Sequence, residues 1–106
     1  MASERQRQLD PWGLPQGPAR AFVRARLCDF SLRCFEQPLA LGSADKTKTL
    51  ARTYIACVGE TYPSRTVFGP FASEARRAGW HDHELPTGHA CHVEMPDAVS
   101  RLIAEA

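Results

Sequence analysis

The chain has 106 residues, 43% of them apolar and 24% charged, with a net charge of +1. That length suits one domain at most, and the scattered, nearly balanced charge leaves no electrostatic footprint for DNA or RNA. No apolar stretch approaches the roughly 20 residues of a membrane span, and the opening MASERQRQLDPW lacks the apolar run of a signal peptide. The expected setting is therefore cytoplasmic, with no nucleic-acid or membrane partner. Cys28, Cys34, Cys57 and Cys91 include no C-x-x-C pair and read as free, buried thiols rather than disulfides.

Residues 1–17 are polar and then rich in Pro and Gly, which predicts an irregular lead-in. Pro18 suits the first turn of a helix, where its missing N–H costs nothing. Ala19, Phe22, Val23 and Leu27 then share one face at helical spacing. CDFSLRCFEQPLALG (28–42) reads as extended or looped, and SADKTKTLA (43–51) as a polar connection. TYIACV (53–58) is short, apolar and β-rich, as in a strand buried on both faces. Residues 59–67 are rich in turn formers. Pro70 is expected to open a helix through about Ala78, with Phe71, Ala75 and Ala78 inward and Gly79 at C′. WHDHEL (80–85) fits a second strand and PTGHACHVEM a loop. Pro96 starts a last helix with Val99, Leu102 and Ile103 on one face. Trp12, Phe30, Phe35, Phe68, Phe71 and Trp80 read as core residues.

Strand, helix and strand of this kind argue an α/β fold with a parallel βαβ unit. Two strands alone leave both sheet edges open, so the chain reads as part of a larger sheet or as one that uses a partner. His89 follows the second strand on a loop, and Gly88 before it allows a sharp turn or a positive φ. Glu60 follows the first strand. Parallel neighbours bring their carboxyl ends to one side, where open α/β sheets place their sites. A carboxylate there would hold the imidazole of a proton-transferring histidine in one tautomer.

FVRARL, FEQPLAL, RTYIACVGE, the helix leading to AGW, and EL-TGH followed by P-AV--LI occur in this order over roughly residues 18–104. This series resembles the C-terminal part of an α/β-hydrolase-fold esterase, in the branch of plant methylesterases and hydroxynitrile lyases. The resemblance implies the last two parallel strands and flanking helices of that fold over residues 18–106. Within them, 18–42 would be a lid remnant and 52–106 the last βαβα unit. It maps the triad base onto His89 and the acid onto Glu60, where close relatives carry aspartate; glutamate serves in other triads of this fold. The substrate implied is a small apolar ester, with no cofactor. No G-x-S-x-G occurs in the chain. The nucleophilic serine and the oxyanion hole are thus absent, and the chain is expected to be inactive by itself. A complementing N-terminal half or a homo-oligomer is the expected partner.

Two other classes fit the residues. HDH and HACH put His81, His83, His89, Cys91 and His92 within twelve residues, chemistry that suits zinc, although the usual C-x2-C framework is missing. An incomplete sheet would equally serve a non-catalytic interaction module. Cys57 and Cys91 read as small core fillers, with a Cys91–His89 nucleophile pair as the alternative.

Overall fold

Residues 9–106 are described in a computed structural model; residues 1–8 of the expected lead-in lie outside the described residues. The rest of the lead-in is built of turns, yet it supplies Leu9 (0% exposed), the most buried of the core hydrophobics, and Leu14 (3%). Helix α1 (Pro18–Arg26) begins as expected with its proline in the first turn. Ala19, Val23 and Leu27 pack with Trp12 and Val93 against the cluster of Leu9, Leu14 and Ala90. Phe22 departs from the expected inner face. It lies on the flank of the 19–23–27 stripe, 48% exposed, with the Arg26 guanidinium 3.6 Å above its ring. Arg20 is buried instead and donates to the Leu14 carbonyl at 2.9 Å while pairing with Asp10. A buried guanidinium with such partners ties the lead-in to α1.

From Cys28 to Ala51 every residue is exposed. This stretch is irregular as expected, except for one-turn helices α2 (Arg33–Glu36) and α3 (Ala44–Thr47). Phe30 (68% exposed) and Phe35 (76%) are therefore not core residues; their rings pack edge-on against each other, 5.2 Å apart. The thiols of Cys28 and Cys34 are free but exposed, against the expectation of burial.

The sheet comprises β1 (Thr53–Cys57) and β2 (His81–Leu85), paired in parallel with Thr53 opposite His81 and Cys57 opposite Leu85. A helix between them makes the parallel crossover, as the sequence order requires. Strand burial is less than expected: among their ten residues only Ala56 and Leu85 are buried. Two strands cannot cover each other's faces, and β2 carries charges. Arg76 of the crossover helix binds Asp82 (2.6 Å) and Glu84 (3.3 Å), which puts these two on the helix-covered face. The Asp82 carboxylate, by accepting this bond, holds the Arg76 pKa above its usual value.

The crossover helix α4 spans Arg65–Arg77, five residues earlier than Pro70 suggested. Pro70 sits just past the first turn, so one internal hydrogen bond is forgone rather than several. The inward residues are Ala72 (6% exposed) and Ala75 (2%), while Phe71 is 57% exposed and Ala78 also faces solvent. Phe68, Ala72 and Ala75 form the i, i+4, i+7 stripe toward the sheet, but Phe68 at its open end is 42% exposed and not the core residue expected. Gly79, at φ +76°, ends the helix in the left-handed conformation expected of a C′ glycine. Pro70 is exposed, so Pro70→Ala restores a helical N–H without disturbing a core. The expected result is a gain of about 1–3 kcal/mol, read as a higher midpoint in thermal or urea unfolding.

After β2, the expected loop contains one helical turn, α5 (Cys91–Glu94), against which α1 packs. Helix α6 (Pro96–Ala104) starts at its proline as expected. Val99 is buried and Leu102 half-buried, but Ile103 is 67% exposed. Among the described residues, no helix is long and apolar enough to cross a membrane.

Candidate functional site

Both strands end on the same side of the sheet, and the loops that follow stay side by side. Val58 N–H donates to Leu85 O at 2.8 Å and Gly59 N–H to Thr87 O at 2.9 Å. The second loop is then clamped twice. Gly88 N–H donates to Glu94 Oε2 at 2.8 Å, and His89 N–H donates to Trp12 O at 2.7 Å. Gly88 has no positive φ, so that half of the expectation for this glycine does not hold. Close approach explains it: a Cβ at Gly88 would lie 2.2 Å from the Trp12 carbonyl oxygen and 2.9 Å from Gly13 backbone atoms.

The His89 side chain is exposed at the carboxyl ends of the strands, within an aromatic surround. The rings of Trp12, Tyr62 and Phe68 lie 5.1, 6.4 and 6.4 Å from its own. A groove of about 390 Å³ runs between β1 and α4, and His89, Tyr62 and Phe68 all line it. His89 Nδ1 meets the Tyr62 hydroxyl at 3.2 Å, and among the described residues Nε2 has no hydrogen-bond partner. Glu60, on the same loop as Tyr62, is exposed and makes no hydrogen bond or ion pair among the described residues. The partner that meets the imidazole is thus a phenol, with the carboxylate two residues before it.

Tyr62 is 3% exposed, and its pKa is raised chiefly by burial, with further contributions from Cys57 and Tyr54. The phenol therefore keeps its proton at neutral pH. A phenol both donates and accepts, so it donates to a bare Nδ1, with the ring proton on Nε2, or accepts from a protonated Nδ1. Nε2 is a base only in the second arrangement. Tyr62→Phe is expected to remove this contact and change the balance of the two neutral tautomers, read from the imidazole ¹⁵N shifts of His89. The accompanying stability loss is about 0.5–1.5 kcal/mol.

Tyr62, Trp12 and Glu94 escaped sequence reasoning. The signal for Tyr62 was its place just after β1, beside Glu60; Trp12 had none, because its contact spans most of the chain. Cys57 and Cys91 are free, half-buried and in contact with each other. Burial first, and then Cys57, pushes the Cys91 pKa up, which keeps it a thiol and gives no support to a Cys91–His89 nucleophile pair. Among the described residues no three His, Cys, Asp or Glu side chains converge as metal ligands, so the zinc reading gains nothing from the geometry. No family model, curated protein or solved structure matches the chain.

Proposed function

We propose that the chain is the C-terminal segment of an α/β-hydrolase-fold esterase, in which His89 transfers the proton and Glu60 is the triad acid. The observation that carries this reading is the parallel pairing of β1 with β2, which delivers both loops to one rim of the sheet. In the complete site a serine hydroxyl attacks the carbonyl of a small apolar ester. Nε2 of His89 takes the hydroxyl proton and returns it to the departing alcohol, and water repeats the sequence on the acyl-enzyme. Nε2 must then be bare at the start, so the ring proton must reside on Nδ1. A carboxylate at Nδ1 imposes that tautomer because it only accepts, whereas the phenol of Tyr62 accommodates either one. Glu60 displacing Tyr62 from Nδ1 is the step that fixes His89 in the basic tautomer.

The chain carries no G-x-S-x-G, so it is expected to hydrolyse no p-nitrophenyl ester alone. Mixed with a separately expressed N-terminal α/β-hydrolase portion that bears the serine elbow, it is expected to gain turnover. His89→Ala loses that turnover and Glu60→Gln lowers it. Turnover by the chain alone that His89→Ala abolishes would overturn the division of labour. Complemented turnover indifferent to His89→Ala would overturn the assignment of the base.

A further inference from the structure

We infer that Cys57 and Cys91 form a reversible modification site, at which a low-molecular-weight disulfide such as oxidised glutathione converts the two thiols into a bridge within the chain. This goes beyond the esterase reading and stands independently of it. Cys57 is the last residue of β1 and Cys91 the first of α5. The sheet brings these two ends together. Cys57 stands opposite Leu85 in the parallel register, and the chain just after it is bonded to the second loop through Gly59 N–H and Thr87 O at 2.9 Å. That loop runs on through buried Ala90 into α5. Both thiols are free and half-buried, and they are in hydrogen-bond contact with each other. Cys28 and Cys34 differ: both are exposed. Two thiols already held side by side by the fold have little freedom left to lose when they join.

Cys57 also lines the groove between β1 and α4, so a small disulfide reaches it from solvent. The Cys57 thiolate attacks one sulfur of the oxidant, which forms a mixed disulfide and releases a glutathione thiolate that takes up a proton. Cys91 then gives its proton to solvent, attacks the Cys57 sulfur and releases the second glutathione thiolate, which is protonated in turn. The two protein thiols lose two electrons, and one glutathione disulfide is reduced to two thiols. Burial keeps Cys91 protonated, which slows the second step. It does not set the equilibrium, which follows from how closely the fold holds the two sulfurs. The bridge fastens the loop of Glu60 and Tyr62 to the loop of His89 and closes the chain between residues 57 and 91, a constraint on the unfolded state.

The test uses the full chain with Cys28→Ser and Cys34→Ser, changes at two exposed positions, so that only Cys57 and Cys91 respond. It is equilibrated without oxygen in glutathione buffers that run from mostly reduced to mostly oxidised, then alkylated and digested with trypsin. Cleavage after Arg52, Arg65, Arg77 and Arg101 places the two cysteines on separate peptides, 53–65 and 78–101. Both thiols are expected to disappear together, with those two peptides recovered joined and the protein still at single-chain mass in a non-reducing gel. The melting midpoint of the oxidised chain should rise by about 10 °C or more, and dithiothreitol should reverse it. Cys57→Ser and Cys91→Ser in the same background should each leave one thiol that takes up glutathione without a cross-link. Glutathione carried on both cysteines with no joined peptide overturns the proposal, as do thiols that stay free at the most oxidising ratio. A bridge between two copies overturns it too. So does a cross-link that forms only in urea or lowers the midpoint, since the folded chain would then hold the sulfurs apart.

Discussion

Gly88→Ala is expected to cost about 3 kcal/mol or more, because the added Cβ collides with backbone and not with a side chain that can swing away. Its nearest neighbours would be the Trp12 carbonyl oxygen at 2.2 Å and Gly13 backbone atoms at 2.9 Å. Relief requires the loop to draw back, which breaks the 2.7 Å bond from His89 N–H to Trp12 O and the 2.8 Å bond from Gly88 N–H to Glu94. At roughly 4–8 °C per kcal/mol, the melting midpoint should fall by more than about 10 °C. Gly69→Ala is the internal control. Its Cβ would meet nothing within 4 Å, and it lies within α4, so the change should stabilise by about 0.5–1 kcal/mol. Equal effects of the two substitutions would refute the close-approach account. A second readout is the indole fluorescence of Trp12, which stacks obliquely at 5.1 Å on His89 and should change only in the Gly88 variant.

Leu9→Ala should be nearly as damaging, at about 3 kcal/mol within the range seen for fully buried leucines. Leu9 has 0% exposure and packs with Leu14 and Ala90 beneath α1 and α5. Its loss leaves a cavity at the junction between the lead-in and the His89 loop, so the His89 resonances should broaden or shift alongside the drop in urea midpoint. Phe35→Ala supplies the contrast. A larger side chain is removed, but Phe35 is 76% exposed, and the expected change is within about 0.5 kcal/mol. Should Phe35→Ala prove the more damaging, the core would lie in the 28–50 stretch and not where Leu9 and Leu14 place it.

The site was legible in part because its frame is local. TYIAC and HDHEL carry strand character, a helix separates them, and that order alone sends both strand ends to one rim. His89 could therefore be placed on that rim by inspection, and Glu60 on the neighbouring loop. Which group meets Nδ1 could not. Tyr62 lies 27 residues from His89, and its contact depends on how two loops stack after Gly59 and Gly88 have let their backbones close up. The boundary of α4 failed for a different reason. Pro70 is well suited to a first turn, and the residues before it have no strong signal of their own, yet packing of Phe68, Ala72 and Ala75 toward the sheet extends the helix back to Arg65. The exposed aromatics show the same limit: Phe30 and Phe35 have core chemistry but pack on each other and stay exposed.

By itself the sequence determined the order of the three longer helices and the two strands, the prolines that start α1 and α6, the glycine that ends α4, and the parallel sense of the sheet. Each of these follows from backbone preferences acting over a few residues, or from the length of chain between two strands. Only the tertiary structure decided that Leu9 and Leu14 form a core cluster with Ala90, that Trp12 holds the His89 backbone, and that a phenol meets Nδ1. These depend on groups far apart in the chain, brought together by burial and close backbone approach, which no local pattern encodes.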